Sequence, residues 1–238
     1  MSVAPNLPIE GPSSTPKILT LLISIIIPVY RDAEALAGVL ETADFGGAEV
    51  IVAAAEGDPS LAALRARRAD LQWVIAPRGR ARQMNAGAAL AHGDWLLFLH
   101  ADTRLPTGWR SAIVHADADA RVNLGCFRFA LDSSSLAARV VERGVRLRVR
   151  VFGLPYGDQA LFVRREAFAE LGGYNDLPIM EDVDLVRRLR ETGRLYTASE
   201  EAVTSARRWE EDGWLRRTAR HLSLIVRYFA GVHPERLV

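Results

Sequence analysis

Trp95-Leu96-Leu97-Phe98-Leu99-His100-Ala101-Asp102 is a short apolar run that ends in two polar side chains. An unbroken apolar segment of this length suits a strand covered on both faces, as in a parallel sheet between layers of helices. Such strands deliver their next residues to the carboxyl edge of the sheet, where open α/β proteins assemble ligand sites. Two residues apart on extended chain, His100 and Asp102 are expected to point the same way.

Upstream the sequence alternates. Apolar strands are predicted over 23–29, 49–54 and 72–76, and helices over 32–43, 59–69 and 79–91 fall between them and before 95–99. This rhythm implies right-handed βαβ crossovers. The apolar run 18–29 is shorter than the ~20 residues of a membrane helix, and its Ile25-Ile26-Ile27 favours a buried strand. After Asp102 the rhythm loosens, with a helix near 136–149, a strand near 160–164, a helix from Glu181 and a last helix after Gly213. The expected fold class is α/β, a single domain with a Rossmann-like, mostly parallel sheet flanked by helices and with C-terminal amphipathic helices. Its expected divisions are a mobile lead-in over 1–22, a main domain over 23–210 and an amphipathic helix and tail over 211–238. The main domain is expected to comprise a nucleotide-binding half (23–103) and an acceptor half (104–210).

Composition narrows the function classes. The 238 residues are 49% hydrophobic and 25% charged, enough for a large core, and 30 Lys and Arg against 29 Asp and Glu leave a formal charge of +1. No global field draws such a chain to nucleic acid, and none is expected as a partner. The single Cys126 cannot form an intrachain disulfide and is read as a small buried residue. A cytoplasmic location is expected, with peripheral contact on the inner membrane face left open.

Three constellations carry chemistry. Arg78-Gly79-Arg80-Ala81-Arg82-Gln83-Met84-Asn85-Ala86-Gly87 opens a helix with cations where the helix dipole disfavours them. A bound anion reverses that penalty, because arginine forks and free N–H groups at a helix start form phosphate sites. Arg82 and Asn85 share a face there; a solvated basic face is the plainer alternative. His100 and Asp102 offer an imidazole and a carboxylate to a divalent cation completed by water and diphosphate oxygens, and the histidine tilts the choice from Mg²⁺ towards Mn²⁺. A strand-end histidine bonded to the backbone explains His100 about equally well. In Met180-Glu181-Asp182-Val183-Asp184-Leu185 the two leading acids sit at or before a helix N-terminus, where acids also serve simply to satisfy the dipole.

The order of these pieces resembles the inverting family 2 glycosyltransferases of GT-A fold. Pro28-Val29-Tyr30, the 78–87 helix start, Gly93-Asp94, His100-Ala101-Asp102, Gly172-Gly173-Tyr174, Glu181-Asp182 and Arg208-Trp209 follow the family's sequence of motifs, from about residue 23 to 209. The runs 80–87, Pro155-Tyr156-Gly157-Asp158-Gln159 and Ser205-Ala206-Arg207-Arg208-Trp209 are most similar to the small selenodomain-associated transferases. The resemblance implies a nucleotide-diphosphate sugar donor, with a UDP-sugar favoured, a divalent metal at Asp102 and His100, and Asp182 as the base that deprotonates a hydroxyl acceptor. Glu181 would orient that base, and Pro28, Tyr30, Arg78, Arg82, Asn85 and Asp102 would bind the donor. Ser205 stands where processive members carry Gln. Ala54 stands where the family places a base-reading aspartate; Glu56 is the freer substitute, since Asp58 before Pro59 reads as a helix cap. The acceptor is unknown, a lipid-linked one included.

Two alternatives use the same residues: a nucleotidyltransferase, which would release pyrophosphate, and a non-catalytic sugar-nucleotide-binding module. Beyond these motifs, Arg139, Arg143, Arg146 and Arg150 recur at helical spacing, and an apolar stripe from Trp214 to Phe229 runs beside Arg216, Arg217, Arg220 and Arg227. Such helices suit an anionic bilayer, their own core or a second subunit.

Overall fold

A computed structural model describes residues 21–237; the predicted lead-in lies, but for its last two residues, outside them. Strand β1 (Ile23–Val29) pairs in parallel with β2 (Glu49–Ala55) on one side and β4 (Trp95–Phe98) on the other, and β3 (Gln72–Ala76) extends the sheet beyond β2. Side chains of β1 alternate between two cores. Ile23, Ile25 and Ile27 join Trp95 and Leu97 on one face, while Ile26 joins Leu96 and Phe98 on the other. Burial on both faces is why these strands read as unbroken apolar runs.

Past β4 the sheet continues through β7 (Leu161–Arg164), β6 (Val122–Leu131), β8 (Arg194–Thr204) and the two-residue β5 (Thr103–Arg104), giving eight strands in the order β3-β2-β1-β4-β7-β6-β8-β5. The β4–β7, β7–β6 and β8–β5 pairs are antiparallel and β6–β8 is parallel, so the expected parallel character holds through β4 and gives way to mixed pairing beyond it. The helices are α1 (Ala33–Thr42), α2 (Ala62–Arg67), α3 (Arg80–Leu90), α4 (Trp109–Asp117), α5 (Leu136–Phe152), α6 (Arg165–Glu170), α7 (Glu181–Thr192), α8 (Arg207–Asp212) and α9 (Trp214–Phe229). No apolar rhythm announced α4, β6 or β8. Strand β6 carries Gly125 in its interior, where Phe162 fills the space a Cβ would need at 2.0 Å from its ring, and β8 is polar and half exposed along its length. A register shift between Cys126 and Arg128 further breaks the alternation.

Helix α3 is seated on β1 and β2 by two contacts. Gln83 is buried and its Nε2 donates to Val29 O at 2.8 Å and Ala53 O at 2.7 Å, so one amide ties the helix to the carboxyl ends of both strands. One turn later a Cβ on Gly87 would stand 2.5 Å from Ile26 Cγ2. Alanine normally stabilises a helix interior over glycine by roughly 0.5–1 kcal/mol. At Gly87 the clash reverses the sign, and Gly87→Ala is expected to destabilise by the ~1–3 kcal/mol of core overpacking. Gly144 on α5 meets nothing within 4 Å, so Gly144→Ala should raise the unfolding midpoint where Gly87→Ala lowers it; denaturant titration of both variants checks the pair.

Candidate active site

The carboxyl ends of β1 and β4, the start of α3 and the start of α8 enclose a cavity of about 330 Å³. Pro28, Tyr30, Arg78, Arg80, His100, Asp102 and Arg208 line it. Tyr30 follows β1, and the Arg78 guanidinium lies 4.6 Å from the centre of its ring. Strand β4 ends at Phe98, one residue earlier than expected, and His100 begins a turn closed by the Thr103 N–H on the His100 carbonyl at 3.1 Å. His100 and Asp102 therefore reach the cavity from a turn rather than from extended chain. Burial, with Arg80 and Arg208 nearby, holds the His100 imidazole well below its ordinary pKa, so it is neutral and keeps a free lone pair.

The second half adds Pro178 and Arg208 to the lining and sets a carboxylate segment beside His100. Helix α7 starts at Glu181, preceded by Met180 in the left-handed region at φ 67°. Asp182 Oδ1 accepts from the Val183 N–H at 2.8 Å and Oδ2 from the Gly157 N–H at 2.7 Å. Gly157 has to be glycine, because a Cβ there would lie 2.7 Å from His100 Nε2 and 3.4 Å from Asp182 Oδ2. The same glycine thus brings His100 and Asp182 together. Arg31, Ala160 and Met180, the non-glycine residues with positive φ among those described, directly follow Tyr30 and Gln159 or precede Glu181. Each such conformation costs of order 1–3 kcal/mol, and such strain concentrates at functional segments.

Arg80 is the cation that the site is built around. It donates to Glu181 Oε1 at 3.2 Å, and Asp182 and Asp102 also raise its pKa. Glu181 is 4% exposed, and burial together with Asp182 raises its pKa against the opposing pull of Arg80. Sequence reasoning passed over Arg80 in favour of Arg82, although both lie in one run. The structure turns Arg82 outward into a bidentate pair with Asp176 at 2.7–2.9 Å, and Asn85 spends both ends of its amide on the Tyr174 backbone at 2.8 and 2.9 Å. Neither lines the cavity, nor does Glu56, which is exposed past the end of β2. Ala54 is buried, and Asp58 caps the turn at Pro59 by accepting from the Ser60 N–H at 3.0 Å. Asp32 makes no cap at α1; its carboxylate is bound to Arg207 and Arg208 at 3.1 and 3.3 Å, which joins α8 to the cavity. Cys126 is buried and its thiol is pushed up to about 12.

A metal ion has two protein donors to meet here, the Asp102 carboxylate and the His100 imidazole. Among the described residues no group of three or more His, Cys, Asp and Glu is placed to hold one. A neutral imidazole plus one carboxylate fits a cation whose remaining positions are filled by phosphate oxygens and water.

The sequence profile of Glycosyl transferase family 2 matches residues 24–171, more than half of the chain and the segment that carries His100, Asp102 and Gly157. The chain belongs to that family. No curated protein matches by sequence. Solved structures share the fold: S. aureus TarS 1–349 at TM-score 0.57 and 14% identity, covering 78% of this chain and 61% of that one. TarS 1–349 in complex with UDP-GlcNAc gives TM-score 0.58 at 13% identity, with 78% and 58% covered. The mannosyltransferase PcManGT from Pyrobaculum calidifontis, in complex with GDP-Man and Mn²⁺, gives 0.54 at 20% identity, with 84% and 61% covered. This chain therefore spans about three fifths of the length of these structures. The single α/β domain with its open sheet is of the GT-A type that such glycosyltransferases adopt.

Asp158, beside Gly157, is the unresolved charge of the site. Its Oδ1 is buried without a hydrogen-bond partner, and burial, with Asp182 and Asp102 close by, raises its pKa to about 6. A carboxyl whose pKa is raised on folding weakens the fold as pH climbs through the window between its unfolded and folded values. Asp158→Asn is therefore expected to raise the melting temperature at pH 7.5 by a few degrees, in line with the ~1–3 kcal/mol cost of an unpaired buried group. The gain should shrink as pH falls below about 6 and vanish near pH 4, as melting curves across that range would record.

Proposed function

We propose that this family 2 glycosyltransferase moves a hexosyl-type sugar from a nucleotide-diphosphate donor to a hydroxyl acceptor, by a metal-dependent single displacement with inversion. The observation that carries the reading is a fixed carboxylate, Asp182, held by Gly157 next to His100, while His100 and a wall of cations, Arg78, Arg80 and Arg208, line the adjoining cavity. The neighbours crystallised with UDP-GlcNAc and with GDP-Man and Mn²⁺ support the donor class, and the runs 80–87, 155–159 and 205–209 support placement in the selenodomain-associated subgroup.

In this reading the acceptor hydroxyl gives its proton to Asp182 as its oxygen attacks the anomeric carbon. The bond from that carbon to the diphosphate oxygen breaks, and the nucleoside diphosphate leaves with the electron pair. Both Asp182 oxygens already accept one backbone N–H, which fixes the carboxylate while leaving each a lone pair for the incoming proton. Glu181 orients that segment through Arg80 rather than taking the proton itself. Arg80, freed in part from Glu181, and Arg78 neutralise charge developing on the leaving diphosphate. Tyr30 and Pro28 take the nucleoside end, with Arg78 stacked on the Tyr30 ring. Asp102 and His100 would hold Mn²⁺ or Mg²⁺, which when bound supplies Lewis-acid stabilisation of the same leaving group.

A thermal-shift panel of UDP- and GDP-sugars with and without Mn²⁺ tests donor binding, because a ligand raises the native state's stability by mass action. Asp182→Asn is expected to keep the donor-induced shift while release of nucleoside diphosphate falls by at least the ~10²-fold of a lost general base. Turnover within a few-fold of wild type would remove Asp182 from the base role. Asp102→Ala is expected to abolish the metal enhancement of nucleotide-diphosphate binding measured by calorimetry; an unchanged enhancement would place the ion elsewhere.

A further inference from the structure

Helices α5 and α9 lie side by side, joined where Trp214 packs beside Val141 and Val145 over the Trp209 cluster. Their inner faces are covered by protein and their outer faces are not. Nine of the twelve exposed large apolar side chains among the described residues lie on these two helices. On α5 they are Leu136 (85% exposed), Val140, Leu147 (61%), Val151 and Phe152; on α9, Leu215 (88%), Leu222 (60%), Val226 and Phe229. The α9 set recurs at i, i+7, i+11 and i+14, with exposed Ala219 filling i+4, one continuous stripe along the helix. The row beside each stripe is basic: Arg143, Arg146 and Arg150 on α5, and Arg216, Arg220 and Arg227 on α9.

The electrostatics of this face run one way. Between Asp212 and Glu235 the sequence has no acidic residue, and the single acid of α5, Glu142, is buried and paired with Arg139. Among the described residues Arg143, Arg146, Arg150, Arg216 and Arg220 make no ion pair with any acid. Beneath α5, Arg146, Arg150, Thr197 and Arg128, the last paired with Glu201 at 3.4 Å, line a cavity of about 240 Å³. Apolar stripes flanked by uncompensated arginines suit one partner best. A second copy docked face to face would bring these arginines no acidic partner, since a two-fold interface repeats the same patch on both sides. A bilayer takes the apolar side chains into its acyl boundary while arginines extend to lipid phosphates.

We propose that the outer face of α5 and α9 docks in the plane of an anionic phospholipid bilayer, with Arg146 and Arg150, at the mouth of the cavity beneath α5, receiving a lipid phosphate. No helix among the described residues is long and apolar enough to cross a membrane, so the contact is peripheral. The inner face of α9 places Leu224 and Ile225 against Met180 and Val183, which flank Glu181 and Asp182. The docked bilayer would lie about one helix diameter, ~10–12 Å, from that segment. If the transfer reading holds, this brings membrane-borne acceptors to the site; the docking itself does not depend on it.

Sedimentation with vesicles of phosphatidylcholine alone, or of phosphatidylcholine with phosphatidylglycerol, tests the proposal without any sugar donor. The full chain is expected to pellet with the anionic vesicles at about 0.1 M salt, to pellet poorly with the neutral ones, and to be released as salt screens the arginines. Leu222→Glu with Val226→Glu, and separately Arg146→Gln with Arg150→Gln, should each weaken partitioning by at least about tenfold. All four side chains are exposed, so melting temperature is expected to be unchanged, and the arginine pair stands as an independent check should the apolar pair misfold. Absence of pelleting, or equal pelleting with both vesicle types, would overturn the proposal. So would a dimer in light scattering that Leu222→Glu dissociates in a protein that ignores vesicles.

Discussion

The arrangement rests on one ion pair placed among like charges. Asp102, Glu181 and Asp182 come from two distant parts of the chain, and bringing them near one another is unfavourable unless a cation joins them. Arg80 is that cation, and its bond to buried Glu181 spans 101 residues of sequence. Removing Arg80 would leave the Glu181 carboxylate buried without its partner, whereas the guanidinium itself is 47% exposed. The same contact answers the conflict posed by arginines at the start of α3. The expected anion is present, and in the protein by itself it is carboxylate: Glu181 for Arg80 and Asp176 for Arg82. A diphosphate entering the cavity would compete for Arg80, whereas Arg78, stacked on Tyr30, is already open to it.

Around this pair the site is held by backbone groups more than by side-chain contacts. The Gly157 N–H fixes Asp182, the Asn85 amide clamps the Tyr174 main chain, and the Gln83 amide bridges Val29 and Ala53. Each of these joins segments far apart in sequence, and a backbone partner cannot rotate away as a side chain can. The left-handed Met180, offset by packing of its side chain in the cluster that includes Val183 and Leu224, sets the start of α7 against Arg80 and Gly157.

The first half of the fold was legible because both faces of β1, β2 and β4 are buried, which writes an unmistakable apolar run into the sequence. Strand β1 begins and ends where the run does. Strands β6 and β8 left no such mark: one face of β8 meets solvent, Gly125 replaces a core side chain, and the register shifts midway. In the site, position along the chain identified the segments that meet, yet could not say which arginine of 78, 80 and 82 faces inward. Helical spacing separates Arg80 and Arg82 by about 200°. Only the location of their acidic partners, Glu181 and Asp176, decides between the two faces. Gly157 stands in the run 155–159, but a glycine before an acid does not by itself mark a close approach, since Gly57 before Asp58 meets nothing within 4 Å.

The change of pairing at β4 explains why the cavity lies where it does. Strands β3, β2, β1 and β4 run parallel, and their carboxyl ends set Tyr30, Arg78 and the His100 turn along one edge. Beyond β4 the sheet turns antiparallel at β7, so the segment entering β7, Tyr156 to Ala160, arrives at that same edge from the opposite direction. A parallel β7 would have begun at the far edge and left Gly157 there, away from His100. The antiparallel step therefore brings Gly157, and with it Asp182, against His100, while the cavity itself opens where the strand order reverses between β1 and β4, the switch point at which open α/β sheets bind ligands.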